Sequence, residues 1–107
     1  MTKPPRFEFI FAPEVVEHLR TIERKYHSLI QTAIDEQLTF TPEKETKNRK
    51  LLEQPAPLGA TWELRFGPSN RIRVFYEVDK QRQSVRILAI GIKKRNQLFI
   101  GKEEFGK

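Results

Sequence analysis

The stretch from Trp62 to Phe99 limits most tightly how this chain can fold. Three runs rich in β-branched and aromatic residues, at 62–66, 72–78 and 85–92, are parted by the turn residues Gly67-Pro68-Ser69-Asn70 and by residues 79–83. That pattern is the signature of a short antiparallel meander. With a first loop over residues 67–71, Trp62, Leu64 and Phe66 fall opposite Tyr76, Val74 and Ile72 and make one apolar face. The same register sets Glu63 opposite Phe75 and Arg65 opposite Arg73 on the other face. A slip of one residue would bury arginines, so the pairing is well specified. Two like charges directly opposite destabilise a sheet by roughly a few tenths of a kcal/mol. A sheet that keeps such a pair invites an anion.

The chain before the meander divides into three parts. Two prolines in residues 1–5 forbid a helix there, and a loose terminus is expected. Residues 6–11 alternate charged or polar with apolar, which predicts a strand with Phe7, Phe9 and Phe11 turned inward. Pro13 and Glu14 then suit the start of a helix, where a missing N–H costs nothing and a carboxylate meets the positive dipole end. From Val16 to Leu38 the apolar positions stay on one broad stripe at helical spacing. The pattern fits either one helix or two broken near residues 23–28. Pro42 ends the helical region. Residues 42–59 read as a long polar connection with a short helical turn around residues 48–52. After the meander, Lys93-Lys94-Arg95-Asn96 forms a basic turn leading into Gln97-Leu98-Phe99-Ile100, and residues 101–107 read as a mobile tail.

At 107 residues, with 37% hydrophobic and 32% charged, the sequence predicts one soluble globular domain over residues 1–107. There is no cysteine, so neither a disulfide framework nor a thiolate metal site can form. Neither a membrane-length apolar run nor a signal-peptide h-region is present, and a cytoplasmic location is expected. The formal charge of +6 is unevenly placed. Residues 1–60 balance nine Lys/Arg with nine Asp/Glu, whereas residues 61–107 carry eleven against five. An excess confined to the sheet half favours a polyanionic partner, nucleic acid first.

Few residues offer conventional catalysis. His18 and His27 lie nine apart, on roughly opposite faces of a continuous helix, and read as surface residues unable to share a metal. Phosphate loops, nucleophile elbows and suitably spaced carboxylate pairs are absent, and no metal or cofactor is expected. What remains is basic: Arg65 and Arg73 across the hairpin, Arg71 two residues from Arg73, and the Lys93-Lys94-Arg95 turn. Arginine forks suit phosphate oxygens, and lysine supplies a point charge. Phe75, beside Arg73, and Phe99 are candidates to stack on bases. Alternatively Glu63 and Glu77, on the same face, hold the arginines in place.

The order strand, two helices, three-stranded meander resembles the RelE/ParE superfamily of type II toxin–antitoxin toxins. Trp62-Glu-Leu-Arg65, Arg73-Val-Phe-Tyr-Glu-Val78 and Ile87-Leu-Ala-Ile-Gly91-Ile-Lys-Lys-Arg95-Asn carry the resemblance, which spans about residues 7–99. It implies an α+β domain: an N-terminal strand, a helical hairpin, then a three-stranded antiparallel meander. For RelE-like members it implies ribosome-dependent mRNA cleavage, in which a ribose 2′-hydroxyl attacks the adjacent phosphate without metal. Cations stabilise the charge that develops. Carried over by position, the family's basic residues fall at Arg65, Arg73 and Lys93, and its C-terminal tyrosine falls at Phe99. Glu63 departs from the lysine that the resemblance implies at its position, and reads as a general base or a neutraliser of Arg65. Arg71, Phe75, Lys94, Arg95 and Phe99 would contact RNA. The implied partners are a cognate antitoxin and mRNA on the ribosome, with no membrane. ParE-like members instead bind DNA gyrase, and a relative without activity is the third reading.

Overall fold

Strand β3 (Trp62–Phe66) meets β4 (Ile72–Asp79) in the register that alternation requires: Trp62 opposite Tyr76, Leu64 opposite Val74, Phe66 opposite Ile72. The chain is described over residues 5–105 in a computed structural model. The loose terminus expected at residues 1–5 lies outside the described residues except for Pro5, as do residues 106 and 107 of the tail. Strand β5 (Ser84–Lys94) pairs antiparallel along the whole of β4. A bulge shifts that register, Phe75 facing Ala89 while Tyr76 faces Ile87, so Leu88 is the extra residue.

The expected mixed α/β architecture holds, but the sheet has seven strands. Strand β1 (Glu8–Phe11) runs parallel to β5 over Ser84–Ile87, and β6 (Gln97–Ile100) pairs antiparallel with Gly91–Lys94 on the same edge. The tail expected to be mobile turns back instead as β7 (Glu103–Phe105), paired with β6. The helical turn expected near residues 48–52 is also a strand, β2 (Arg49–Leu51), on the outer edge of β3. The reason is backbone satisfaction. The Arg65 N–H donates to Asn48 O at 2.7 Å and the Leu52 N–H to Thr61 O at 2.8 Å, groups the edge of β3 would otherwise leave unpaired.

The helical stripe breaks into two, α1 (Val15–Arg20) and α2 (His27–Leu38), joined through a 3-10 turn at Arg24–Tyr26. His27 explains the break. Its Nε2 lies 3.0 Å from both Leu19 O and Ile22 O, at and just beyond the C-terminal end of α1. His27 is therefore a half-buried structural residue and not the surface group expected. Both helices cover one sheet face, where Ile22, Ile30, Ile34 and Leu38 meet Leu64, Val74, Tyr76 and Ile87. Phe7 and Phe9 pack partly against this core, whereas Phe11, expected inward, is 50% exposed at the free edge of β1. Tyr76 donates its hydroxyl to Pro42 O at 2.8 Å, and burial pushes its phenol above the ordinary range despite the nearby Arg49.

His18 also departs from its expected surface place. It is buried, and its Nδ1 accepts the Ile90 N–H at 3.3 Å. Ile90 sits where β5 passes from β1 to β6, so the imidazole completes a ladder that neither strand reaches. Burial lowers the His18 pKa, with Glu14 opposing weakly. The folded protein then binds the proton less readily than the unfolded chain, whose histidine titrates near about 6.5. The stability it supplies is full above that value and is lost as pH falls through the lowered folded pKa. Urea midpoints should drop between pH 7 and pH 5, and His18→Asn, which keeps an acceptor but cannot titrate, should flatten that drop.

Candidate nucleic-acid interface

On the face away from the helices, Arg65 and Arg73 stand directly opposite each other in β3 and β4. The anion that this pair invites is supplied by the chain itself. Glu63 accepts Arg65 Nε on Oε1 at 2.9 Å and Arg73 Nη1 on Oε2 at 3.1 Å. Period-two spacing brings Glu63 and Arg65 to one face, and the hairpin register brings Arg73 across from them. Glu63 is 4% exposed and Arg73 9%, so this is a buried charge cluster whose members depend on one another. Arg73 is fixed further by donating Nε to Asn70 O at 2.9 Å. Arg65 spends Nε on Glu63 and keeps about a third of its side chain, 35%, in solvent. Glu77, the other carboxylate expected here, pairs with Arg86 at 3.3 Å instead.

Lys93 lies on this face too, two residues beyond Gly91, which faces Arg73. It is partly exposed and its backbone N–H donates to Arg71 O at 2.8 Å. Gly91 allows β6 to come close: a Cβ there would lie 2.7 Å from Phe99 O. Glu63, Arg65, Arg73 and Lys93 are thus brought to one face, as the sequence predicts.

The residues expected to contact bases divide differently. Phe75 shares the face but is 1% exposed, buried with Ala60, Ala89 and Ile100 in a second small core. Leu52, Leu98 and Phe105 cover it from the loop before β3 and from the β6–β7 hairpin. The reading of Phe75 as an open stacking platform is therefore corrected, because the segments expected to be loose fold over it. Phe99 faces Ile92, which pairs with Ile72 of the core face, so its ring points to the helical side. It is not beside Arg65 and Arg73. Lys94 follows it there, with Nζ 6.0 Å from the Phe99 ring centre. Arg71 is exposed and borders a cleft with Tyr26 and Lys94 on that helical side. Arg95 projects from the β5–β6 turn.

Sequence reasoning missed Arg49, Asn48 and Tyr26. Arg49 is buried, donating to Gln37 O at 2.9 Å and to Thr41 O, and it ties the end of α2 to β2. Asn48 donates Nδ2 to Arg65 O at 2.9 Å and so fixes the backbone beneath the Arg65 guanidinium. Residues 49–51 carry no alternation, and three residues are too few to separate strand from helix. Among the described residues, no three His, Cys, Asp or Glu converge as a metal site. No helix there is long and apolar enough to cross a membrane.

A scan against protein-family models matches none, and a search of curated proteins finds no relative. Among solved structures, the chain is similar to a chain of the toxin–antitoxin complex RelBE2 from Mycobacterium tuberculosis. The TM-score is 0.66 at 18% identity, over 82% of this chain and 99% of that one. At that identity the likeness is one of fold, and it agrees with the mixed α/β architecture expected from the sequence.

Because Glu63 neutralises one of the two facing guanidinium charges, its removal should expose a stronger anion site. Glu63→Gln should tighten binding of a single-stranded oligoribonucleotide and steepen the dependence of log K on log salt by about one unit. An unchanged slope in a fluorescence-anisotropy salt titration would show that the arginines are closed to phosphate.

Proposed function

We propose that this chain is the toxin of a type II toxin–antitoxin pair, acting as a ribosome-dependent mRNA endoribonuclease that inhibits translation. The observation that carries the reading is the convergence of Arg65 and Arg73 on Glu63, with Lys93 on the same face, in a fold similar to a chain of a toxin–antitoxin complex. A carboxylate held between two guanidinium groups is fixed in orientation, as a proton acceptor requires. In this reading Glu63 takes the proton of a ribose 2′-hydroxyl as that oxygen bonds to the adjacent phosphorus. The 5′-oxygen departs and takes a proton from water. Arg65 and Lys93, the more exposed cations, stabilise the charge on the phosphate oxygens. Arg73, buried and bonded to Asn70 O, positions Glu63.

The partner in this reading is an antitoxin whose segment, acidic where it meets the sheet half, wraps the helices and neutralises the basic face. A second reading rests on a specific observation: Glu63 already occupies both guanidinium groups, and Phe99 lies on the opposite face. That arrangement favours a binding protein without chemistry, either a ParE-like gyrase inhibitor or a toxin relative that has lost turnover.

Production of the chain alone should arrest growth, and primer extension on cellular mRNA should reveal discrete cuts within translated frames. Arg65→Ala should lower the cutting rate by about 10²- to 10³-fold, the usual effect of losing one charge-stabilising donor. Intact transcripts with damaged DNA would establish the gyrase reading. Unimpaired growth would end any toxin reading.

A further inference from the structure

The cations on the helical side form a second constellation, separate from the Glu63 cluster. A cleft of about 140 Å³ opens between the 3-10 turn at Arg24–Tyr26 and the ends of β4 and β5. Tyr26, Ile72 and Ile92 form its apolar wall, and Arg71 and Lys94 stand on it. Lys25 adds a third cation, its Nζ 5.2 Å from the Tyr26 ring centre. Lys94 in turn lies over Phe99, the strand neighbour of Ile92. Glu23 lines the cleft as well, 3.9 Å from Lys25 in an exposed pair, and leaves Arg71 and Lys94 without a carboxylate in salt-bridge contact among the described residues. Arg71 Nε reaches only Pro68 O, at a long 3.4 Å.

The two turns that frame this end adopt an unusual backbone. Ser69 and Asn70 before Arg71 have φ of 54° and 52°, and Arg95 and Asn96 after Lys94 have φ of 52° and 68°. Glycine would fold such a turn without the strain that a side chain brings to the left-handed region.

Rings interleaved with lysine and arginine, around a small cleft with apolar walls, match the requirements of single-stranded nucleic acid. The phosphates meet cations, and one base lies against an aromatic or aliphatic wall. We propose that this cleft binds one nucleotide of a single-stranded RNA, with Tyr26 against the base and Arg71 and Lys94 on the flanking phosphates. The proposal rests on the reading that the chain acts on RNA. It adds a grip on the face opposite the Glu63 cluster, so that a strand would pass around the end of the sheet formed by the β3–β4 and β5–β6 turns.

The test uses the full chain and a fluorescein-labelled decauridylate, with affinity measured by anisotropy across a salt series. Arg71→Gln and Lys94→Gln should each weaken binding several-fold and reduce the salt slope by about one unit. Tyr26→Ala should weaken binding about 5- to 100-fold even at high salt, while Tyr26→Phe should retain it, because stacking needs the ring and not the hydroxyl. Urea midpoints of each variant separate lost binding from lost folding. Should Tyr26→Ala lose its fold, a 4-thiouridine cross-link to Tyr26 in the unaltered chain decides the matter, its presence supporting the proposal and its absence overturning it. Affinity unchanged in the Arg71 and Lys94 variants overturns the proposal, as does displacement of the RNA by a poly-glutamate peptide that itself binds more tightly at this cleft. The latter outcome would make the cleft a site for an acidic protein segment. The two readings fail separately. Missing cleavage with intact cleft binding removes the ribonuclease, and cleavage without any cleft contribution removes only this site.

Discussion

Glu63 is buried in the middle of a strand with a guanidinium on each carboxylate oxygen, and much of the molecule can be understood as the means of keeping it there. A carboxylate is tolerated inside protein only when paired and hydrogen-bonded. The pairing here needs the β3–β4 register, since one residue of slip would separate Glu63 and Arg65 from Arg73. That register is enforced from the opposite face, where Trp62, Leu64 and Phe66 can only be buried against the helices in the same alignment. The helical core and the charge cluster are two consequences of one strand pairing.

The two sheet faces then take different roles. The helical face holds the larger core, in which His27 closes α1 and His18 bridges the gap between β1 and β6. The other face is divided: a charged half around Glu63 and an apolar half centred on Phe75. The apolar half exists because β6, β7 and the loop before β3 fold over it. With Phe75 removed from solvent, that face presents charge through Lys50 opposite Glu63, the partly exposed Arg65 and Lys93, and the Glu77–Arg86 pair. Arg71 and Lys94 stand on the opposite side, at the end of the sheet.

The alternation at residues 62–78 contained the hairpin register and the facing arginines, because period-two burial admits only one alignment. The seven-strand count was not legible, since β2 and β7 are three residues each and exist to satisfy neighbouring edges. The helix break was legible as one of two readings, placed near residues 23–28, but its cause was not. It depends on the side chain of His27 reaching back to two carbonyls, a contact that apolar periodicity does not register. Within the site, Glu63 was visible as a residue of the charged face, but its bidentate role required distances. Phe99 was misplaced because the facing of β6 follows from its pairing with Ile92, which residue spacing alone does not give.

The account depends on Glu63 and Arg73 being energetically coupled inside the sheet. A double-mutant cycle in urea unfolding, using Glu63→Gln, Arg73→Gln and the pair, measures that coupling directly. A coupling of about 1.5–3 kcal/mol is the result the buried pair demands. A value within about 0.5 kcal/mol of zero, as exposed ion pairs often give, would mean that the carboxylate does not hold the arginine and that the site is not built as described.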